Sequence, residues 1–302
     1  MKKLMFYETV LSRRGGNTAI IPAQSFGAEL LTNGDFSTAA LSGWTKLNDN
    51  GSTATISETA AGGGAGSGAA TYNNNTSAVS LALEQDVMTI GDWYEIAGEM
   101  TAYTGGRLDI TYSGAGVALP SLSSVRAVRQ VDRATASKFR PQTGGALPRL
   151  FTVDNFSIKN LTMKAEHTAP SADMDVQLLY TLPASPRAGD RVFLPARISS
   201  FSSGNYWLVM LEYSGSQWNV FLYSVASHTR TQQKTISNVG NTNGLRFWAS
   251  GTTIRMYTTA DGGSNWTQRD TDLTSSTYQT ATGYNGFAGS AFTLGLLSGV
   301  AA

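Results

Sequence analysis

Apolar and polar residues alternate with a period of two in many short runs of this chain, and turn-forming residues separate the runs. In residues 93–100, Trp93, Glu95, Ala97 and Glu99 fall on one face, and Tyr94, Ile96 and Met100 on the other, as successive side chains of a β-strand do. Residues 53–57, 79–83 and 107–112 read as further strands, while the Gly/Pro/Ser/Arg-rich residues 113–150 predict a less regular stretch with a long surface loop. Farther on, residues 175–180 and 191–197 are strand-like. Residues 206–213 and 218–225 pair through a turn at 214–217, and residues 245–249 and 253–258 through a turn at 250–252. The apolar run at 291–297 is short enough for one buried final strand.

Composition points the same way. With 32 glycines and 14% charged residues in 302, the chain suits many short strands joined by tight turns and fits helical bundles poorly. Its length predicts two domains. The formal charge of +1 offers no surface for nucleic acid. The one basic cluster, Arg126, Arg129, Arg133, Lys138 and Arg140, reads as a solvated loop or a contact to a neighbouring subunit. There is no cysteine, hence no disulfide and no thiolate metal site. No run reaches the length of a membrane helix. Met1-Lys2-Lys3 is followed by an apolar run that Glu8 breaks, so no signal peptide is expected.

Two short motifs carry a family resemblance. Leu30-Leu31-Thr32-Asn33-Gly34-Asp35-Phe36 with Leu41-Ser42-Gly43-Trp44, and Val153-Asp154-Asn155-Phe156-Ser157-Ile158 some 120 residues later, resemble the opening and closing of carbohydrate-binding modules of the family 4/9 type. Those modules are galactose-binding-like jelly rolls of about 100 to 150 residues. The second half, through its hairpin at 245–258, resembles concanavalin A-like and laminin-G-like jelly rolls. The resemblance implies an all-β chain of two tandem antiparallel β-sandwiches, and the apolar residues ahead of the first read as an extended N-terminal arm. The arm is expected at 1–28, the first sandwich at 29–164, a linker at 165–171 and the second sandwich at 172–302. It also implies a structural calcium near the sandwich ends, for which Asp35 and Asp154 are candidate ligands; turn capping by both carboxylates is the competing account. No other cofactor is implied.

Thr259-Ala260-Asp261-Gly262-Gly263-Ser264-Asn265-Trp266 fits the Asp-box pattern. In it Asp261 caps a tight hairpin, Gly263 supplies a positive φ and Trp266 packs beneath. A single copy reads as a structural hairpin. Catalytic signatures are missing from the sequence: His167 and His228 lack metal spacing, and no nucleophile elbow or P-loop occurs. Glu95 and Glu99 stand four residues apart on one strand face, roughly 13 Å at strand rise, too far for a glycosidase pair. No enzyme is expected. Sugar binding asks for exposed rings beside amides. Tyr72 with Asn74, and Tyr284 with Asn285, are the candidates in polar, loop-like settings; Trp44, Trp207, Trp218 and Trp248 are expected in cores.

These features predict a non-enzymatic bacteriophage virion protein, in capsid decoration, a head fibre or a tail. It would be made in the host cytoplasm and would display its sandwiches for particle stabilisation or attachment to a cell-surface glycan. Phe6, Tyr7, Ile20 and Ile21 would anchor the arm on other virion proteins, in a homo-oligomer, a trimer being one form. The alternative is a secreted bacterial lectin or an accessory module of a polysaccharide-degrading system.

Overall fold

The computed structural model describes residues 24–38, 41–58, 68–75, 79–112, 115–117, 121–163, 167–200, 204–227 and 229–302. The arm residues Phe6, Tyr7, Ile20 and Ile21, most of the Gly/Ala-rich run at 60–70, and His228 lie outside the described residues. The chain divides into two compact units. One comprises Ser25–Thr162 with Arg187–Asp190; the other includes Met163–Pro186 and Arg191–Ala302. Each is an all-β, antiparallel two-sheet sandwich. Among the described residues no helix is long and apolar enough to cross a membrane.

The first sandwich uses β1 (Gln24–Glu29), β2 (Thr45–Leu47), β3 (Ala54–Glu58), β4 (Ala70–Asn74), β5 (Ala82–Asp86), β6 (Trp93–Gly105), β7 (Arg107–Tyr112), β8 (Ala115–Val117), β9 (Arg126–Arg133), β10 (Lys138–Gly144) and β11 (Arg149–Met163). One sheet runs β3-β4-β11-β6-β9 with β1 beside β11, and the other β2-β5-β10-β7-β8. Between them lies an aromatic centre. Phe36, Trp44, Phe139 and Phe156 stand 5.6–6.2 Å apart, ring to ring, in the offset and edge-on geometries that aromatic quadrupoles favour.

The opening and closing motifs meet here. Leu30 N–H donates to the Ile158 carbonyl and Phe156 N–H to the Gly34 carbonyl, each at 2.9 Å. Glu29 accepts from the backbone N–H of Ile158 at 2.7 Å. Gly34 is required by this close approach, because a Cβ there would collide with the Phe156 carbonyl. Trp44 reaches back to the same turn, its indole N–H donating to the Asn33 carbonyl at 3.0 Å.

Residues 113–150, expected as a less regular stretch with a long loop, instead supply β8, β9 and β10, so the basic cluster sits on strands. Lys138 and Arg140 both pair with Glu84, at 2.7 and 2.5 Å, and Arg129 pairs with Asp190 at 2.9 Å. Strand pairing across long sequence separation organises this stretch, and local composition does not show it. Both faces of β6 are covered at its start: Trp93 and Glu95 are buried, as are Tyr94, Ile96 and Met100 opposite.

The second sandwich comprises β12 (His167–Thr168), β13 (Met174–Thr181), β14 (Arg191–Ser200), β15 (Asn205–Tyr213), β16 (Trp218–Ala226), β17 (Thr229–Ile236), β18 (Gly244–Ser250), β19 (Thr253–Thr259), β20 (Thr267–Gln268), β21 (Leu273–Thr274), β22 (Gly283–Tyr284), β23 (Phe287–Ala288) and β24 (Thr293–Ala301). Its sheets run β12-β22-β14-β15-β16-β17, with β23 on β14, and β20-β19-β18-β13-β24, with β21 on β19. The stretch read as a linker is partly sheet, since His167 and Thr168 pair with Tyr284 and Gly283. Val176, Leu178, Leu194, Trp207, Val209, Leu222, Leu245, Phe247 and Ile254 fill the core. Both expected hairpins form, with Tyr213 opposite Trp218 and Ser250 opposite Thr253.

Candidate functional site

The residues nominated for sugar contact are core residues. Tyr72 is on β4, fully buried. Its ring stacks on Phe151 at 5.2 Å, and its hydroxyl donates to the Pro141 carbonyl at 3.1 Å; burial pushes its pKa up. Asn74 is buried beside it and donates to the Val79 carbonyl at 2.8 Å. Tyr284 is buried on β22 with its ring 5.6 Å from His167. The buried Asn285 carboxamide oxygen accepts from Gly286 N–H at 2.8 Å. All four are buried, and none offers a face to a ligand.

The two calcium candidates each accept local hydrogen bonds. Asp35 is exposed and accepts from the Ser37 hydroxyl and backbone N–H at 2.8 and 3.2 Å; these bonds hold its pKa below the usual carboxylate range. Asp154 is buried and accepts from Asn155 N–H at 2.7 Å. Among the described residues no group of three or more acidic or histidine side chains converges as a metal ion would require.

The Asp box forms the β19–β20 hairpin. Asp261 accepts from the Asn265 N–H at 2.9 Å, the Asn265 carboxamide at 2.6 Å and the Thr259 hydroxyl at 2.6 Å. The backbone N–H of Asn265, first of these, and then the side-chain donors lower its pKa to about 2. Gly262 and Gly263 hold φ of 72° and 91°, where a Cβ would be strained. Trp266 lies over Gly244: a Cβ at Gly244 would stand 3.0 Å from the indole Cη2.

That hairpin borders the most unusual surface of the second sandwich, the outer face of β13, β18 and β19. Alternation sends Leu245, Phe247 and Ala249 of β18 inward and Arg246 and Trp248 outward; on β19, Ile254 and Met256 point in and Arg255 and Tyr257 out. Cross-strand register arranges the outward residues in rows. Asp175, Trp248 and Arg255 form one row, and Gln177, Arg246, Tyr257 and Gln268 the next. Trp248 and Tyr257 are therefore diagonal neighbours on β18 and β19, and the Trp266 indole reaches from the hairpin over Gly244 of β18; each ring is half-buried.

Fixed charges hold the rings in place. The Arg246 guanidinium lies 4.7 Å from the Tyr257 ring centre and 5.9 Å from that of Trp266. It donates to both oxygens of Asp175, each at 2.7 Å. The Arg255 guanidinium lies 4.5 Å from the Trp248 ring centre and forks onto Asp272, again with both bonds at 2.7 Å. These bonds raise the Arg255 pKa and lower that of Asp272. Gln268 adds a bond to Asp272 at 2.9 Å and Gln177 one to Asp175 at 3.3 Å. Planar guanidinium, carboxylate and ring make a rigid arrangement.

Trp248 was expected in the core with the other strand tryptophans. Trp44, Trp207 and Trp218 are there; Trp248 is not. The signal lay in its neighbours, for if Leu245, Phe247 and Ala249 face inward, Trp248 must face outward.

No family model and no curated protein matches this chain. Among solved structures, the N-terminal CBM22-1–CBM22-2 tandem domain of Paenibacillus barcinonensis Xyn10C is similar at 10% identity and a TM-score of 0.35, over 94% of this chain and 100% of that one.

Proposed function

We propose that this protein is a non-catalytic saccharide-binding protein whose binding face is the outer surface of β13, β18 and β19. The observation that carries the reading is the group of half-buried rings Trp248, Tyr257 and Trp266, set among Asp175, Gln177, Arg246, Arg255, Gln268 and Asp272. Sugar rings present apolar C–H faces and equatorial hydroxyls, and aromatic planes beside fixed bidentate groups complement both. The carboxylates favour binding over hydrolysis. Glycoside cleavage needs one carboxylic acid with a raised pKa, whereas Asp272 is held ionised by Arg255 and Asp175 is locked in a bidentate pair with Arg246. Affinity electrophoresis in gels cast with neutral polysaccharides tests the reading. The intact protein is retarded in at least one gel and Trp248→Ala is not; equal mobility of the two in every gel removes the reading.

In its particle-bound form, the proposal places the sandwiches on a bacteriophage virion with residues 1–28 as the docking segment. Peptide mass spectrometry on density-purified particles separates this from a secreted lectin or accessory module. A fixed ratio to a major capsid or tail protein supports the virion, and recovery only from the secreted fraction supports the lectin.

A further inference from the structure

We infer that the Trp248–Tyr257–Trp266 face takes the interior of a linear, uncharged polysaccharide laid along β18 and β19, and that it reads neither a chain end nor an acidic glycan. The inference rests on the saccharide-binding proposal and specifies its ligand.

Shape is the first argument. Outward side chains of neighbouring strands stand side by side on a sheet, so the rings form a row and do not ring a hole. Trp248 and Tyr257 are diagonal cross-strand neighbours: Trp248 faces Arg255, and Tyr257 lies two positions beyond it. Such neighbours stand about 7–8 Å apart. The Trp266 indole turns back from the hairpin over Gly244 of β18, four residues along that strand from Trp248. Four residues of strand rise separate Trp248 from the position that the Trp266 indole covers, a track of about 13 Å, longer than one sugar ring. A terminal residue needs a concave pocket; a row of planes suits consecutive units of a chain.

Charge is the second argument. The two cations on the face, Arg246 and Arg255, are matched one to one by Asp175 and Asp272 in bidentate pairs. An acidic sugar would have to displace a carboxylate already held by two charge-assisted bonds. Hydroxyls need only the remaining donor and acceptor positions of these groups and the amides of Gln177 and Gln268. The polar groups thus serve a neutral ligand and leave no excess positive charge for a uronate or sulfate.

The test uses the full chain in isothermal titration against linear cello-, xylo-, manno- and malto-oligosaccharides from disaccharide to hexasaccharide. Polygalacturonate and heparin are run at low and high salt. In the neutral series that binds, affinity rises about tenfold or more with length, does not change with salt, and in Trp248→Ala falls back to the disaccharide level. Trp248→Phe, which keeps a ring, retains most of the length dependence. Equal affinity for disaccharide and hexasaccharide overturns the chain-interior inference while the saccharide reading stands. Tighter, salt-sensitive binding of heparin or polygalacturonate overturns the neutral-ligand inference in the same way. Binding of none of these probes removes the inference together with the proposal beneath it. Unchanged thermal unfolding of both variants shows that a loss of affinity is not a loss of fold.

Discussion

The two sandwiches share an architecture and each carries a polar outer sheet face, yet the two faces are built to different ends. On the first, the outward residues of β5, β7 and β10 are mostly charged or polar. Glu84 is gripped by Lys138 and Arg140, and Asp109 by Arg107 and the Ser121 hydroxyl at 2.6 Å. No aromatic plane stands among these outward residues, and the ions satisfy one another. On the second, the same bidentate pairing holds guanidinium groups against three rings. Ion pairing alone makes a closed polar network; ion pairing onto rings fixes half-buried aromatic side chains at the surface. Alternation sets which residues face out, and the chemistry of those residues decides whether the face can meet a ligand.

The strongest test of this contrast separates the cores from the faces. Phe156→Ala removes the centre of the aromatic cluster and should cost about 3–5 kcal/mol, seen as an earlier unfolding transition of the first sandwich in urea. If it abolishes saccharide binding while the second sandwich stays folded, the binding face has been placed on the wrong unit.

Trp248→Ala should weaken binding about tenfold or more, equivalent to about 1.4 kcal/mol, whereas Glu84→Gln leaves titrations unchanged. The reverse pattern would exchange the roles of the two faces.

Glu84→Ala strips a buried acceptor from two partly exposed cations and should cost about 1–2 kcal/mol of unfolding free energy. Burial by itself would raise the Glu84 pKa, but the bonds and charges of Lys138 and Arg140 outweigh it and hold the pKa low. A depressed carboxylate stabilises the fold above its unfolded pKa and loses that contribution as pH falls through its folded value. The stability gap between wild type and Glu84→Gln should therefore close on acidification below about pH 4.5. A gap that widens on acidification contradicts the pairing.

The smallest effect is local. Asp272 is depressed first by its bonds from Arg255, so Trp248 fluorescence should hold steady through the neutral range and change only as pH drops through that lowered pKa. Asp272→Asn should remove the acid transition; if the transition persists, another group controls the ring.

Much of this was legible in the sequence, for reasons that differ by residue. Asn33-Gly34, Trp44 and Phe156 were readable because a close backbone approach permits few residues, and the Asp box because three bonds converge on one carboxylate. Tyr72 and Asn74 were misread because β4 alternates Ala70, Tyr72 and Asn74 inward, and a run of asparagines hid that period. Residues 126–144 looked less regular because their order comes from partners far away in sequence, such as β6 for β9 and β5 for β10. Trp248 was visible in the alternation of its neighbours, but size and apolarity alone argued for the core.

The Arg246–Asp175 pair joins β18 to β13, and the Arg255–Asp272 pair joins β19 to the segment entering β21. In mechanical terms these are lateral stitches between neighbouring strands, the Arg246–Asp175 one running diagonally. A polymer lying over Trp248, Tyr257 and Trp266 would pull on several strands together, so tension along it would load the hydrogen-bond ladders in parallel and resist the peeling of any one strand.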